Sequence, residues 1–240
     1  MDSKVAALFW VAMERGASLI IAADPPHSGK TTTLSALMSF TRPETLVYFT
    51  QGQGEQFLLP PLTDSYDTYI LINEMSDHIP VYTWDDHARR AFELLTEGYR
   101  VATTMHDTTT EGVLLQLERD LRVPKQHLTH LTFIVPMYIG SGGRGIMRRV
   151  IEVAQVERND EGYKLSRLVE WQPEEDTFTL FADKSARDAF AAWARLTPDE
   201  IETLIEERAG FLETMRNTGI REIPQVGEAI EAFYEQMAKA

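Results

Sequence analysis

The chain has 240 residues, 23 Lys and Arg against 37 Asp and Glu, a formal net charge of −14 and no cysteine. That length suits one domain, or one domain with a small appendage, and the missing thiols exclude disulfides, thiolate nucleophiles and cysteine-type zinc sites. So acidic a chain is a poor general binder of nucleic acid, because neutralising phosphates needs clustered Lys and Arg.

Residues 3–15 read as an amphipathic helix rather than a signal peptide: the apolar run is broken by Glu14 and Arg15 and lacks a basic start. No stretch of about 18 or more apolar residues occurs anywhere, so no transmembrane segment is expected. Ser18–Ala23 is a short apolar run of the kind that forms a buried strand. Residues 30–40 read as a helix. Thr45–Phe49 and Tyr69–Ile72 read as strands, 84–97 as a helix, Arg100–Met105 as a strand and 108–120 as a helix. This alternation predicts an α/β fold, a mostly parallel sheet with helices on both faces.

After residue 130 the pattern changes. Leu131–Tyr138 and Arg148–Val156 read as strands flanking the loop Gly140–Gly145, and Tyr163–Trp171 and Thr177–Phe181 continue a β-meander on the sheet's edge. From Lys184 the chain reads as helical, with Thr197-Pro198-Asp199-Glu200 as a strong helix start and a last helix over 225–238. Residues 1–183 are thus expected to form the core with its edge strands, and 184–240 a C-terminal helical subdomain.

The segment Asp24-Pro25-Pro26-His27-Ser28-Gly29-Lys30-Thr31 follows the first strand and opens a helix. It matches the phosphate-loop pattern G-x-x-x-x-G-K-[ST], except that Asp24 replaces the first glycine. Successive backbone N–H groups and the helix start make an anion site over Pro26 to Thr32. His27, Ser28, Gly29 and Thr32 line it, Lys30 reaches the β/γ-phosphates, and the Thr31 hydroxyl is placed to ligate Mg2+.

Glu74 follows an apolar strand. A carboxylate there can polarise water or hold the Mg2+ shell; the alternative is a surface or capping glutamate. His106, just past the next strand, can sense a γ-phosphate or be an ordinary loop histidine. Asp85, Asp86 and His87 sit where a helix should begin, so capping explains the acids better than a metal does. His127 and His130 lack a third ligand. Trp171, Phe178 and Phe181 suit a core better than a base-stacking platform. Arg144-Gly-Ile-Met-Arg148-Arg149 leaves room for a local basic patch.

The motifs together resemble a known family: the ATPases that power type II and type IV secretion, type IV pili and the archaeal flagellum. Asp24–Leu34, D-P-P-H-S-G-K-T-T-T-L, resembles the family's G-P-T-G-S-G-K-[ST]-T-T-L. Ile70–Asp77, I-L-I-N-E-M-S-D, resembles its Walker B segment, and Thr104-Met105-His106-Asp107 its histidine box. Arg148–Val156 and Trp171–Phe178 resemble strands of the archaeal-type branch, and the likeness runs from about residue 8 to 238, over the C-terminal ATPase domain and without the family's N-terminal domain. It implies a RecA-like P-loop fold, Mg2+-dependent ATP binding and hydrolysis with Glu74 and His106 catalytic, and a hexamer-like ring of identical chains. It also implies a cytoplasmic protein, peripheral to the inner face of the membrane, with a secretion or pilus assembly as partner and no nucleic acid. The family's acidic pair after the second strand is replaced by Thr50-Gln51. That departure, with Asp24, keeps open a nucleotide-binding or scaffolding module with little turnover.

Overall fold

Leu19–Ala22 is apolar and buried at every position, as a strand covered on both faces must be, and it runs through the middle of the sheet. The computed structural model describes residues 1–60, 63–142 and 145–239. Gly143 and Arg144, read above as part of a glycine-rich loop and a basic patch, lie outside the described residues. In chain order the elements are α1 (Ser3–Glu14), β1 (Leu19–Ala22), α2 (Lys30–Met38), β2 (Leu46–Phe49), β3 (Thr68–Leu71), α3 (Asp85–Thr96), β4 (Arg100–Met105), α4 (Thr110–Leu115) and α5 (Lys125–Leu128). There follow β5 (Phe133–Gly142), β6 (Gly145–Val150), β7 (Glu152–Asn159), β8 (Gly162–Gln172), β9 (Thr177–Leu180), α6 (Lys184–Ala194), α7 (Pro198–Asn217) and α8 (Ile223–Lys239).

The sheet order is β2-β3-β4-β1-β5-β7-β8-β9, with β6 paired to β5. The first five strands are parallel and the pairings from β5 onward antiparallel. The expected meander continues the parallel strands in the same sheet, which is therefore mixed rather than purely parallel. The strand boundaries differ from expectation at Ile151. The predicted strand 148–156 breaks there, because β5 is long enough to serve two partners: Met137–Gly142 pairs with β6 and Phe133–Ile134 with β7. Ile151 bridges the switch, its N–H donating to Pro136 O at 2.8 Å and its carbonyl accepting from Trp171 N at 2.8 Å. Most of the expected loop Gly140–Gly145 is strand, ending the β5–β6 hairpin.

Alternate side chains of β1 enter two cores, as a period of two requires. Leu19 and Ile21 pack with α1, α2, α6, α7 and α8; Ile20 and Ala22 pack with α3, α4 and α5. Helices thus cover both faces. The amphipathic helix expected at the N-terminus is instead enclosed, with Val5 and every residue from Ala7 to Met13 buried. The C-terminal helices cover what would otherwise be its outer face: Trp10 stacks on Phe40 at 5.0 Å, meets Phe211 and Phe233, and donates its indole N–H to Tyr234 Oη at 2.9 Å.

Helix starts divide in the same way. Thr197 and Glu200 form the reciprocal capping pair their spacing predicts. Asp85 and Asp86 do not cap α3: Trp84 holds that position, and both acids sit inside the first turn, where they face the positive end of the helix dipole. Asp86 pairs with Arg89. The helix expected over 108–120 is α4 followed by a wider π-type turn over Gln116–Asp120.

Candidate functional site

Three adjacent strands, β3, β4 and β1, release their chains at the same edge of the sheet. In open α/β sheets that carboxyl edge is where ligands bind. After β1 the chain turns through His27 (φ 61°) and Gly29 (φ 97°) before α2 begins. The φ of 97° at Gly29 lies where glycine is favoured because it has no Cβ. Ser28 and Lys30 are buried, whereas Pro26, His27, Thr31 and Thr32 are exposed. The first-turn amides of α2 have no intrahelical acceptor, which is the general property of a helix start.

Lys30 points back under the loop. Its ammonium donates to Ala23 O at 2.8 Å, stands 3.4 Å from His106 Nδ1 and 3.9 Å from Glu74 Oε2. Burial holds the Lys30 pKa below its usual value, opposed by the charges of Glu74 and Asp24. A buried ammonium with one carbonyl and one distant carboxylate is short of negative charge, which a phosphate would supply.

Glu74 reaches this point because the chain stays in the sheet beyond β3. Met75 N donates to Thr104 O at 2.8 Å, Thr104 Oγ1 donates to Asn73 O at 2.9 Å, and Met75 bridges to Met105. His106 follows Met105 directly, so the two side chains meet: His106 Nε2 lies 2.8 Å from Glu74 Oε1. Ser76 Oγ donates to the same oxygen at 3.2 Å. The far side of His106 is fixed as well. Gln116 Nε2 donates to its carbonyl at 2.6 Å, and Asp107 accepts from Thr108 N, Thr109 N and Gln116 Nε2. Gly112 makes room for that carboxylate, since a Cβ there would lie 2.1 Å from Asp107 Oδ1.

The structure therefore brings Lys30, Glu74 and His106 into one cluster, while Gly29, Thr31 and Thr32 flank Lys30 along the chain. Two neighbours escaped the sequence reading, one beside the loop and one beside the cluster. Arg148 on β6 donates its Nε–H to His27 O at 2.7 Å. It closes one wall of a cleft of about 400 Å3 that His27, Gly29, Thr32 and Met137 also line. The available signal was the Arg148-Arg149 pair. Strand alternation sends the two to different places, Arg149 to Asp176 with both contacts at 2.6 Å, so they form no continuous basic patch. His78 is the second: Glu74, His78 and His106 offer ligand atoms that all lie within 4.8 Å of one another. Thr50 and Gln51 follow β2, where the resemblance expects an acidic pair. Thr50 Oγ1 pairs with Thr83 Oγ1 at 3.2 Å, and the nearby buried Glu55 accepts from Tyr48 Oη and from the backbone of Gln51 and Phe57.

No protein-family model matches the chain. It is 25% identical over 273 aligned positions to the uncharacterized protein MJ0900 of Methanocaldococcus jannaschii, across 98% of this chain and 47% of that protein. The uncharacterized protein MJ1287 of the same organism is 21% identical over 248 positions, across 91% of this chain and 88% of that one. The chain thus spans about half the length of the first of these relatives and nearly all of the second. Among solved structures, the VirB11 ATPase from the Brucella suis type IV secretion system, in complex with sulphate, aligns with a TM-score of 0.41 and 17% identity over 61% of this chain and 50% of that one.

Proposed function

We propose that this chain binds a Mg2+-nucleoside triphosphate, ATP by the sequence resemblance, at residues 24–32 and hydrolyses it. The observation that carries the reading is the buried Lys30 ammonium between the start of α2 and the Glu74–His106 pair. The exposed Thr31 hydroxyl and the Glu74 carboxylate are hard oxygen donors of the kind Mg2+ takes. When bound, the ion would neutralise charge on the β- and γ-phosphates. The chain's own residues do the rest. Lys30 exchanges Ala23 O for phosphate oxygen. Glu74 accepts a hydrogen bond from the attacking water through the oxygen that His106 and Ser76 leave free. His106, held by Asp107 and Gln116, orients Glu74 and contacts the γ-phosphate edge. A hexamer-like ring, and a cytoplasmic location at the inner face of the membrane beside a secretion or pilus assembly, belong to this proposal through the sequence resemblance; among the described residues no helix is long and apolar enough to cross a membrane.

A second reading, a nucleotide-binding or scaffolding module with little turnover, draws on Thr50 and Gln51, which offer no carboxylate near the cleft, and on Glu55, whose oxygens are taken up by the fold. Calorimetric titration with Mg2+-ATPγS, on wild type and Lys30→Ala, followed by phosphate release from ATP, separates the two. Binding lost in Lys30→Ala together with release supports the hydrolase. Binding without release selects the nucleotide-binding module, and no binding by the wild type overturns the hydrolase and leaves the scaffolding form of the second reading.

A further inference from the structure

We propose that Glu74, His78 and His106 form a site for a zinc-class transition cation in the nucleotide-free protein. Glu74 is buried at the end of β3, His106 follows β4, and His78 comes from the loop after Glu74. One carboxylate oxygen and one ring nitrogen from each histidine lie mutually within 4.8 Å. A single cation at about 2.0–2.2 Å from each donor spans such a set with small side-chain adjustments. Two imidazoles and a carboxylate favour Zn2+, Co2+ or Ni2+ over Mg2+, which prefers oxygen alone.

The surroundings fit a ligand set. A histidine that ligates through Nε2 carries its proton on Nδ1 and gives it to an acceptor behind the ring. His106 Nδ1 lies 3.2 Å from Asp24 O, which is such an acceptor. In the other tautomer Nε2–H donates to Glu74 Oε1, and Nδ1 faces the Lys30 ammonium at 3.4 Å. Metal binding selects the first tautomer and leaves Lys30 on Ala23 O. The His78 ring is exposed, packs edge-on to that of His106 with centroids 5.0 Å apart, and has no hydrogen-bond partner among the described residues. It is free to turn onto a cation. Three protein ligands leave an open position for water.

The site needs no nucleotide and stands whether or not the phosphate loop binds one. Its consequence rests on the proposed hydrolysis: a cation here draws on the Glu74 carboxylate and takes the His106 Nε2 that orients it, and holds the protein idle.

The test uses the full chain after chelator treatment, without nucleotide. Zn2+ binding is measured by calorimetry, and Co2+ binding by its visible absorption, for wild type, Glu74→Gln, His78→Ala and His78→Gln. One equivalent per chain, with an intense low-coordinate Co2+ spectrum, is expected. Loss of a ligand is expected to weaken Zn2+ by more than the ~100-fold that removing an outer-shell partner costs. His87→Ala, a histidine outside the cluster, should bind as wild type does. Circular dichroism establishes that each variant is folded. No Co2+ spectrum in the wild type, or unchanged Zn2+ binding in both His78 variants, overturns the site. Mg2+-ATPγS binding, titrated separately, shows whether the phosphate-loop reading fails on its own account.

Discussion

Arg148 donates its Nε–H to the carbonyl of His27 at 2.7 Å, so a strand of the antiparallel half of the sheet holds the loop between β1 and α2 that leaves the parallel half. His27 has a left-handed backbone, in a loop that on the proposed function keeps its amides aimed at one point. A charged donor on its carbonyl restrains that turn.

Removing the restraint is expected to loosen the loop. Hydrogen bonds from charged groups contribute about 1.5–3 kcal/mol, and about 1.4 kcal/mol is tenfold in affinity. Arg148 is exposed and its bond is screened by water, so Arg148→Ala should weaken Mg2+-ATPγS binding by a few-fold, up to about tenfold, in calorimetry, with only a small loss of thermal stability. Affinity equal to wild type would show that the loop holds its shape without β6.

Glu74→Gln keeps the volume and the hydrogen bond to His106 but removes the base. General-base losses typically run to about 10²–10⁴-fold. The variant should bind Mg2+-ATPγS and release phosphate at least about a hundredfold more slowly. Full-rate release would remove Glu74 from the reaction.

The Asp176 carboxyl is held at about 2, below its ordinary 3.8, first by the Arg149 hydrogen bond and then by the Trp171 indole N–H. A folded value below the unfolded one means that the stabilisation is present above 3.8 and fades as pH falls toward about 2. The melting temperatures of wild type and Asp176→Asn should differ at neutral pH and converge across that window. A difference independent of pH would assign the effect to packing of the turn rather than to the carboxylate's charge.

Arg208 on α7 is wholly buried and pairs with Glu14 Oε2 of α1 at 2.5 Å, with Trp10 and Phe233 under its guanidinium. Removing Glu14 leaves the buried guanidinium with only Glu207 Oε2, at 3.5 Å and half exposed, as a counter-ion, so the cost runs up to the ~3–5 kcal/mol of a broken buried pair. Glu14→Ala is expected to lose up to that much in denaturant unfolding. Replacing both partners, Glu14→Leu with Arg208→Met, should recover most of it; if the double variant is no better than Glu14→Ala, the loss belongs to side-chain packing.

The sequence alone determined what depends on neighbours along the chain. An apolar run before Ser28-Gly29-Lys30-Thr31 specifies strand, turn and helix start, because backbone preference and amide placement are local. The period of the apolar residues specifies most strands and helices, and Thr197 with Glu200 specifies a cap three residues apart. Only the tertiary structure decided what depends on which strand lies beside which. Nothing local separates a strand 148–156 from two strands meeting at Ile151; the length of β5 and its two partners made that choice. Lys30, Glu74 and His106 are far apart in the chain and meet because β3, β4 and β1 are neighbours. His78 joins them because the chain past Glu74 stays beside β4, and Arg148 reaches His27 because β6 folds back on β5. Strand order is fixed by long-range pairing between edges that offer the same backbone hydrogen bonds, so the side chains converging at a sheet's edge are set by packing rather than by spacing.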